Sequence, residues 1–159
     1  MPNWVKNEIR LYGDMNIINE LLAKCKSDES DFDFNGLIPS PKNDDLDWYN
    51  WNIANWGTKW NACDAVVELP PPHIDPSYTS IFFETAWNAP IPIFRAIHEQ
   101  YPSIEIYAYY ADEDIGNNCG VYNNGDIDTC EEDDERTRIE FACDIWGLDP
   151  DDYIADRYA

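Results

Sequence analysis

The chain predicts an α+β fold, a sheet with helices on one face. Segments with alternating apolar residues take turns along it with segments of helical spacing. No Gly-rich phosphate loop lies between them. With 44% hydrophobic and 14% aromatic residues, seven of them Trp, 159 residues can bury one sizeable core.

The elements follow in order. Trp4 to Leu11 place Val5, Asn7, Ile9 and Leu11 on one side of an extended segment that Gly13 ends, a first strand. Asp14 stands where an N-cap belongs, and Ile17, Ile18, Leu21, Leu22 and Cys25 follow at helical spacing to near Ser27. Phe32-Asp-Phe-Asn-Gly-Leu-Ile-Pro-Ser-Pro alternates apolar and polar residues before prolines, a short strand or extended edge segment. Asp45 to Trp56 is the next helix, with Leu46, Trp48, Tyr49, Ile53 and Trp56 on one face and Gly57 closing it.

Ala62 to Leu69 and Thr79 to Ala86 are strands, joined by a Pro-rich loop over 70–76 that has no place in a central ladder, since proline lacks the N–H. Pro90 to Gln100 is a helix with proline in its first turn and Pro102 beyond its end. Ile104 to Tyr110 is the clearest strand. Cys119 to Asp128 is a hairpin turning at Asn124-Gly125. Arg136 to Trp146 is helical and stops at Gly147, and Pro150 to Tyr158 adds a last helical turn. The expected core includes Trp4, Ile9, Leu21, Phe34, Trp56, Trp87, Phe94 and Ile106.

Ten basic residues against 32 acidic ones give a net charge of −22, which disfavours direct binding to nucleic acid or to an anionic membrane. The start of the chain has no basic stretch followed by an apolar run, and no run of 18 apolar residues occurs, so the protein is expected in the cytoplasm of its host. The acids are unevenly placed. From Asp112 to Ala159, 48 residues hold 16 acids and 3 basic residues, a net of −13. If that segment covers about a third of the surface of a chain this size, it carries one charge per ~210 Å², within a factor of about two of duplex DNA.

Five cysteines, Cys25, Cys63, Cys119, Cys130 and Cys143, form no CxxC pair and have only two histidines for company, so no structural zinc is expected. Most of them read as small core residues. Cys119 and Cys130 flank the Asn-Asn-Gly turn and face each other across the hairpin, where a reducing cytosol keeps them as thiols. Asn124, Asp126, Asp128, Glu132 and Glu135 have a loose calcium-loop spacing, but Thr129 stands where such a loop needs glycine. No metal or cofactor is expected.

Two sets of residues are candidates for function. Trp56, Lys59, Trp60 and Trp87 can line a groove that stacks a base or sugar, or they can pack as core. Glu84 lies in an apolar motif without a neighbouring histidine or nucleophile, so its expected role is structural pairing with Lys59, and the chain is not expected to be an enzyme. The second set is acidic: Asp126, Asp128, Glu131, Glu132, Asp133, Asp134, Glu135, Asp151 and Asp152. Five acids from Glu131 to Glu135 exceed what one helix N-terminus can use.

Met1-Pro-Asn-Trp before a strand, Phe32-Asp-Phe-Asn-Gly-Leu-Ile-Pro, Asn55-Trp-Gly-Thr-Lys-Trp-Asn-Ala and Phe83-Glu-Thr-Ala-Trp-Asn-Ala-Pro together resemble the YubB-like proteins of bacteriophages and conjugative plasmids. The resemblance covers roughly residues 1–125 and implies a ferredoxin-like domain of mobile-element origin, without a settled biochemical activity. One domain over 1–159 is then a ferredoxin-like core, 1–125, with an acidic hairpin and helix extension, 126–159.

The resulting expectation is a non-enzymatic phage or plasmid interaction protein. Its acidic extension mimics nucleic acid and binds the basic surface of a host nucleic-acid-binding defence protein, such as a CRISPR effector or a nuclease. The alternative is a small-ligand or nucleotide-binding module that uses the Trp-lined groove.

Overall fold

The computed structural model describes residues 2–43, 45–70, 72–73 and 77–158, without the side chains of 155–158. The chain runs β1 (Trp4–Tyr12), α1 (Met15–Cys25), α2 (Trp48–Trp56), β2 (Cys63–Glu68), β3 (Thr79–Ala86), α3 (Ile91–Gln100), β4 (Glu105–Asp112), β5 (Cys119–Asn123), β6 (Asp126–Asp128), α4 (Glu135–Trp146) and α5 (Pro150–Tyr158). One antiparallel sheet has the order β2-β3-β1-β4-β5-β6. Its first four strands, with α1 and α3 as crossovers, have the ferredoxin-like arrangement. The hairpin β5–β6 widens the sheet beyond β4.

Local chemistry sets the boundaries. Asp14 accepts from Asn16 N–H at 2.8 Å and starts α1. Asp134 accepts from Thr137 N–H at 2.7 Å and starts α4, which Gly147 ends at φ 69°. Asn124 and Gly125 both take positive φ, 45° and 118°, as a two-residue hairpin turn requires. In the β2–β3 connection, residues 71 and 74–76 of the expected Pro-rich loop lie outside the described residues.

The pleat of β1 divides the molecule. Val5, Ile9 and Leu11 face α1 and α3 and join Leu21, Phe34, Trp56, Phe83, Phe94 and Ile106 in the main core. Each such side chain contributes about 1.5–3 kcal/mol by leaving water. Lys6, Glu8 and Arg10 lie on the opposite face. There α4 packs over β4 and β1, and Ala111, Ile115, Cys119, Cys130, Ile139, Ala142 and Cys143 form a second, smaller core. The crossover helices thus share one face, and the extension covers part of the other. Among the described residues no helix is long and apolar enough to cross a membrane.

Four expectations need correction. Trp4 is only half-buried and joins neither core. The second helix starts at Trp48, not Asp45, because Asp47 caps it, and it buries Asn52 and Trp56 while Trp48, Tyr49 and Ile53 are exposed. Phe32 to Pro41 is not extended. Asp33 accepts from Asn35 N–H at 2.9 Å, so Phe34–Gly36 closes as a single 3-10 turn and both Phe32 and Phe34 enter the core. Trp87 is not core either. It is 45% exposed, at the end of β3, and adopts a left-handed φ of 69°.

Candidate functional site

The nine predicted acidic residues fall into two groups, one at each end of α4. Asp126 and Asp128 lie on β6, the outermost strand, where every residue is exposed. Glu131 to Asp134 form the exposed turn that leads into α4, and Glu135 begins the helix. Asp151 and Asp152 are in the first turn of α5, beyond the far end of α4. Twelve helical residues separate the groups by about 18 Å. Glu140 and Asp144 stand exposed on the helix between them.

The ion pairs among the described residues include Arg10–Glu8 and Arg136–Glu140, both at 3.1 Å, and neither involves Asp126, Asp128, Glu131, Glu132, Asp133, Asp134, Asp151 or Asp152. Asp134 serves as the α4 cap, and the bonds it accepts from Thr137 hold its carboxyl below the ordinary aspartate value. Asp128 accepts from Cys130 N–H at 3.2 Å. The acidic side chains also protect an exposed strand edge from pairing with another chain. Asp126 and Asp128 sit on a strand of a hairpin, not on a cation-binding loop.

The expected Trp groove does not assemble as one site. Trp56 is 4% exposed and donates its indole N–H to the Ile38 carbonyl at 2.8 Å, with Phe34 and Trp51 against its ring. It is core and has no face left for a ligand. Trp60 instead meets Trp4, ring centres 5.9 Å apart. The Lys59 ammonium lies 4.5 Å from the Trp60 ring centre and 5.9 Å from that of Tyr49, so cation–π contact replaces the expected pairing with Glu84. Trp87 projects from its own strained turn, held by its N–H to Asn3 O and by Asn118 Nδ2 to its carbonyl, both at 2.9 Å.

A different groove appears between the open sheet face and α4. It encloses about 490 Å³, with Glu8, Arg10, Phe82 and Tyr109 on its floor and Phe141 and Asp144 on the helix wall. That size suits a small molecule. The Arg10 guanidinium carbon lies 4.9 Å from the Tyr78 ring centre and 5.0 Å from that of Tyr109. Burial works against its charge, but Glu8 and the two tyrosines outweigh that and raise its pKa. Its Nε is buried without a hydrogen-bond partner. Lys6 lies over the Trp146 ring at 5.4 Å. Alternating charges on β1 were the available signal for this groove. The helix that covers them, α4, lies about 130 residues further on, so their neighbours in the chain do not reveal the groove.

Among the described residues no group of three or more His, Cys, Asp or Glu is placed to hold a metal ion. Residues 55–149, from the end of α2 through α4, match the family described as the ferredoxin-like domain in Api92-like protein. The acidic turn therefore lies inside the matched stretch. No curated protein and no solved structure matches the chain.

Proposed function

This chain belongs to the family of ferredoxin-like domains in Api92-like proteins, and we propose that it is a non-enzymatic, YubB-like interaction protein of a phage or plasmid. Its acidic C-terminal edge occupies the nucleic-acid groove of a basic host protein, a CRISPR effector or nuclease of the defence machinery. The observation that carries this reading is the placement of the acids: β6, the following turn and the start of α5 expose carboxylates on a folded frame, and among the described residues no Lys or Arg is paired to Asp126, Glu131, Glu132, Asp133, Asp151 or Asp152. Carboxylates held this way substitute for phosphates against Lys and Arg. They steer association and make it strongly salt-dependent.

Affinity capture from a bacterial lysate tests the reading when it is run at low and high salt and eluted with duplex DNA. Nucleic-acid-binding proteins retained at low salt and released by the duplex are the expected result. Retention that neither salt nor duplex disturbs contradicts it.

A second reading, a small-ligand module, gains support from the unpartnered Arg10 Nε in the groove beneath α4. It moves the ligand away from the Trp cluster. A nucleoside monophosphate that raises the melting temperature of the wild type but not of Arg10→Met is the outcome that favours it.

A further inference from the structure

The second core contains a pair of thiols that the function above does not use. Val121 pairs with Asp128, Tyr122 with Ile127 and Asn123 with Asp126. Cys130 lies two residues beyond the end of β6, at a left-handed φ of 56°, and the same register carried past the ladder brings it to Cys119 on β5. The strands do approach closely here. A Cβ built on Gly120 falls 2.5 Å from the Asp128 carbonyl oxygen and 2.6 Å from Tyr110 Oη, so this position has room only for glycine. The two thiols are side-chain hydrogen-bond partners, and both are buried, at 3% and 7% exposure.

We propose that Cys119 and Cys130 are an oxidation site, forming a cross-strand disulfide that locks the β5–β6 hairpin to the acidic turn. With hydrogen peroxide as oxidant, one thiolate sulfur attacks a peroxide oxygen and becomes a sulfenic acid as hydroxide leaves. The second thiolate attacks that sulfur, the S–S bond forms, and a second hydroxide leaves. The two thiol protons convert both hydroxides to water, so two thiols are oxidised and one peroxide is reduced to two waters.

The turn itself responds to this chemistry. The reduced Cys130 is tied to Asp133 twice, through its side chain and through Asp133 N–H to its carbonyl at 3.1 Å. Disulfide formation removes the thiol partner of the Asp133 carboxylate and fixes the backbone on which it stands. Burial pushes the Cys130 thiol up to about 12 and raises Cys119 as well, so attack follows local opening of the sheet edge and is slow. Cys143, in the same core, is on α4 and opposes neither strand position.

The test treats the full-length folded protein with hydrogen peroxide for hours, alkylates it under denaturing conditions and weighs it intact. Most molecules are expected to carry three alkyl groups instead of five, with a further loss of 2 Da, and dithiothreitol added before alkylation should restore all five. Asp-N protease cuts between the two cysteines and should release a linked Cys119–Cys130 peptide, with Cys25, Cys63 and Cys143 alkylated. Cys119→Ser and Cys130→Ser should each abolish the 2 Da loss. Because the wild-type experiment needs neither variant, a serine variant that fails to fold leaves the answer intact. The proposal is overturned by a linkage through Cys25, Cys63 or Cys143, or by thiols that stay unlinked or proceed to sulfinic acid.

Discussion

The indole N–H of Trp146 donates to the carbonyl of Ala111 at 2.9 Å and fastens the last turn of α4 to β4 on the second face of the sheet. Behind that bond, Ile139, Ala142 and Cys143 seal the smaller core. The acidic segment is therefore part of the folded body, which is what lets its carboxylates hold fixed positions.

Trp146→Ala should lower stability by about 3–5 kcal/mol through the lost ring and the unpaired carbonyl, within one cooperative transition. Chemical denaturation monitored by far-UV circular dichroism checks this. Two separated transitions, with α4 and α5 melting first, would show an appendage that folds apart from the sheet.

Trp56 and Trp87 should behave as opposites. Trp56→Ala leaves a cavity beside Phe34 and should cost about 3–5 kcal/mol. Trp87→Gly removes an exposed ring from a left-handed position and should leave stability unchanged or raise it by about 1 kcal/mol. Equal losses in the two variants, read from thermal melts, would contradict their assignment to core and surface.

Asp33 gives a pH signature. Burial favours its neutral form, but hydrogen bonds from the Asn61 side chain, Asn35 N–H, Ser27 and the Asn35 side chain outweigh burial and lower its pKa below 3.8. A carboxyl depressed on folding stabilises the protein above its unfolded pKa and loses that contribution as pH falls through the folded value. Asp33→Ala should cost about 1–2 kcal/mol at pH 7, and the gap to wild type should narrow below about pH 4. A gap that stays constant from pH 7 to pH 3 would show that the charge is not what holds the turn.

These contrasts show what the chain makes legible. The alternation of Val5, Asn7, Ile9 and Leu11 fixes β1 because one face is buried along its whole length. Asn124-Gly125 fixes the hairpin because few other pairs take two positive φ values cheaply. The alternation of Phe32 and Phe34 misleads, since the local bond from Asp33 decides the backbone there. Aromatic spacing shows that tryptophans cluster, but their burial depends on partners distant in sequence, such as Ile38 for Trp56. The candidate acids are visible in the sequence as a run. Their division between the two ends of α4, and the groove beneath that helix, arise only when the helix lies across β1 and β4.

The central claim is that the acidic edge, and not overall acidity, binds a basic partner. Its most direct test is the salt dependence of affinity for the captured host protein, comparing wild type with Glu131→Gln, Glu132→Gln, Asp133→Asn and Asp134→Asn combined. The last of these keeps a side chain able to cap α4. A control with Asp28, Glu29, Asp31 and Asp45 changed to their amides removes the same charge elsewhere on the chain. The account predicts that the edge variant loses at least tenfold in affinity at low salt and that its log–log salt slope flattens by up to about four, while the control stays near wild type. Equal losses in the two variants, or an unchanged slope in the edge variant, would contradict it.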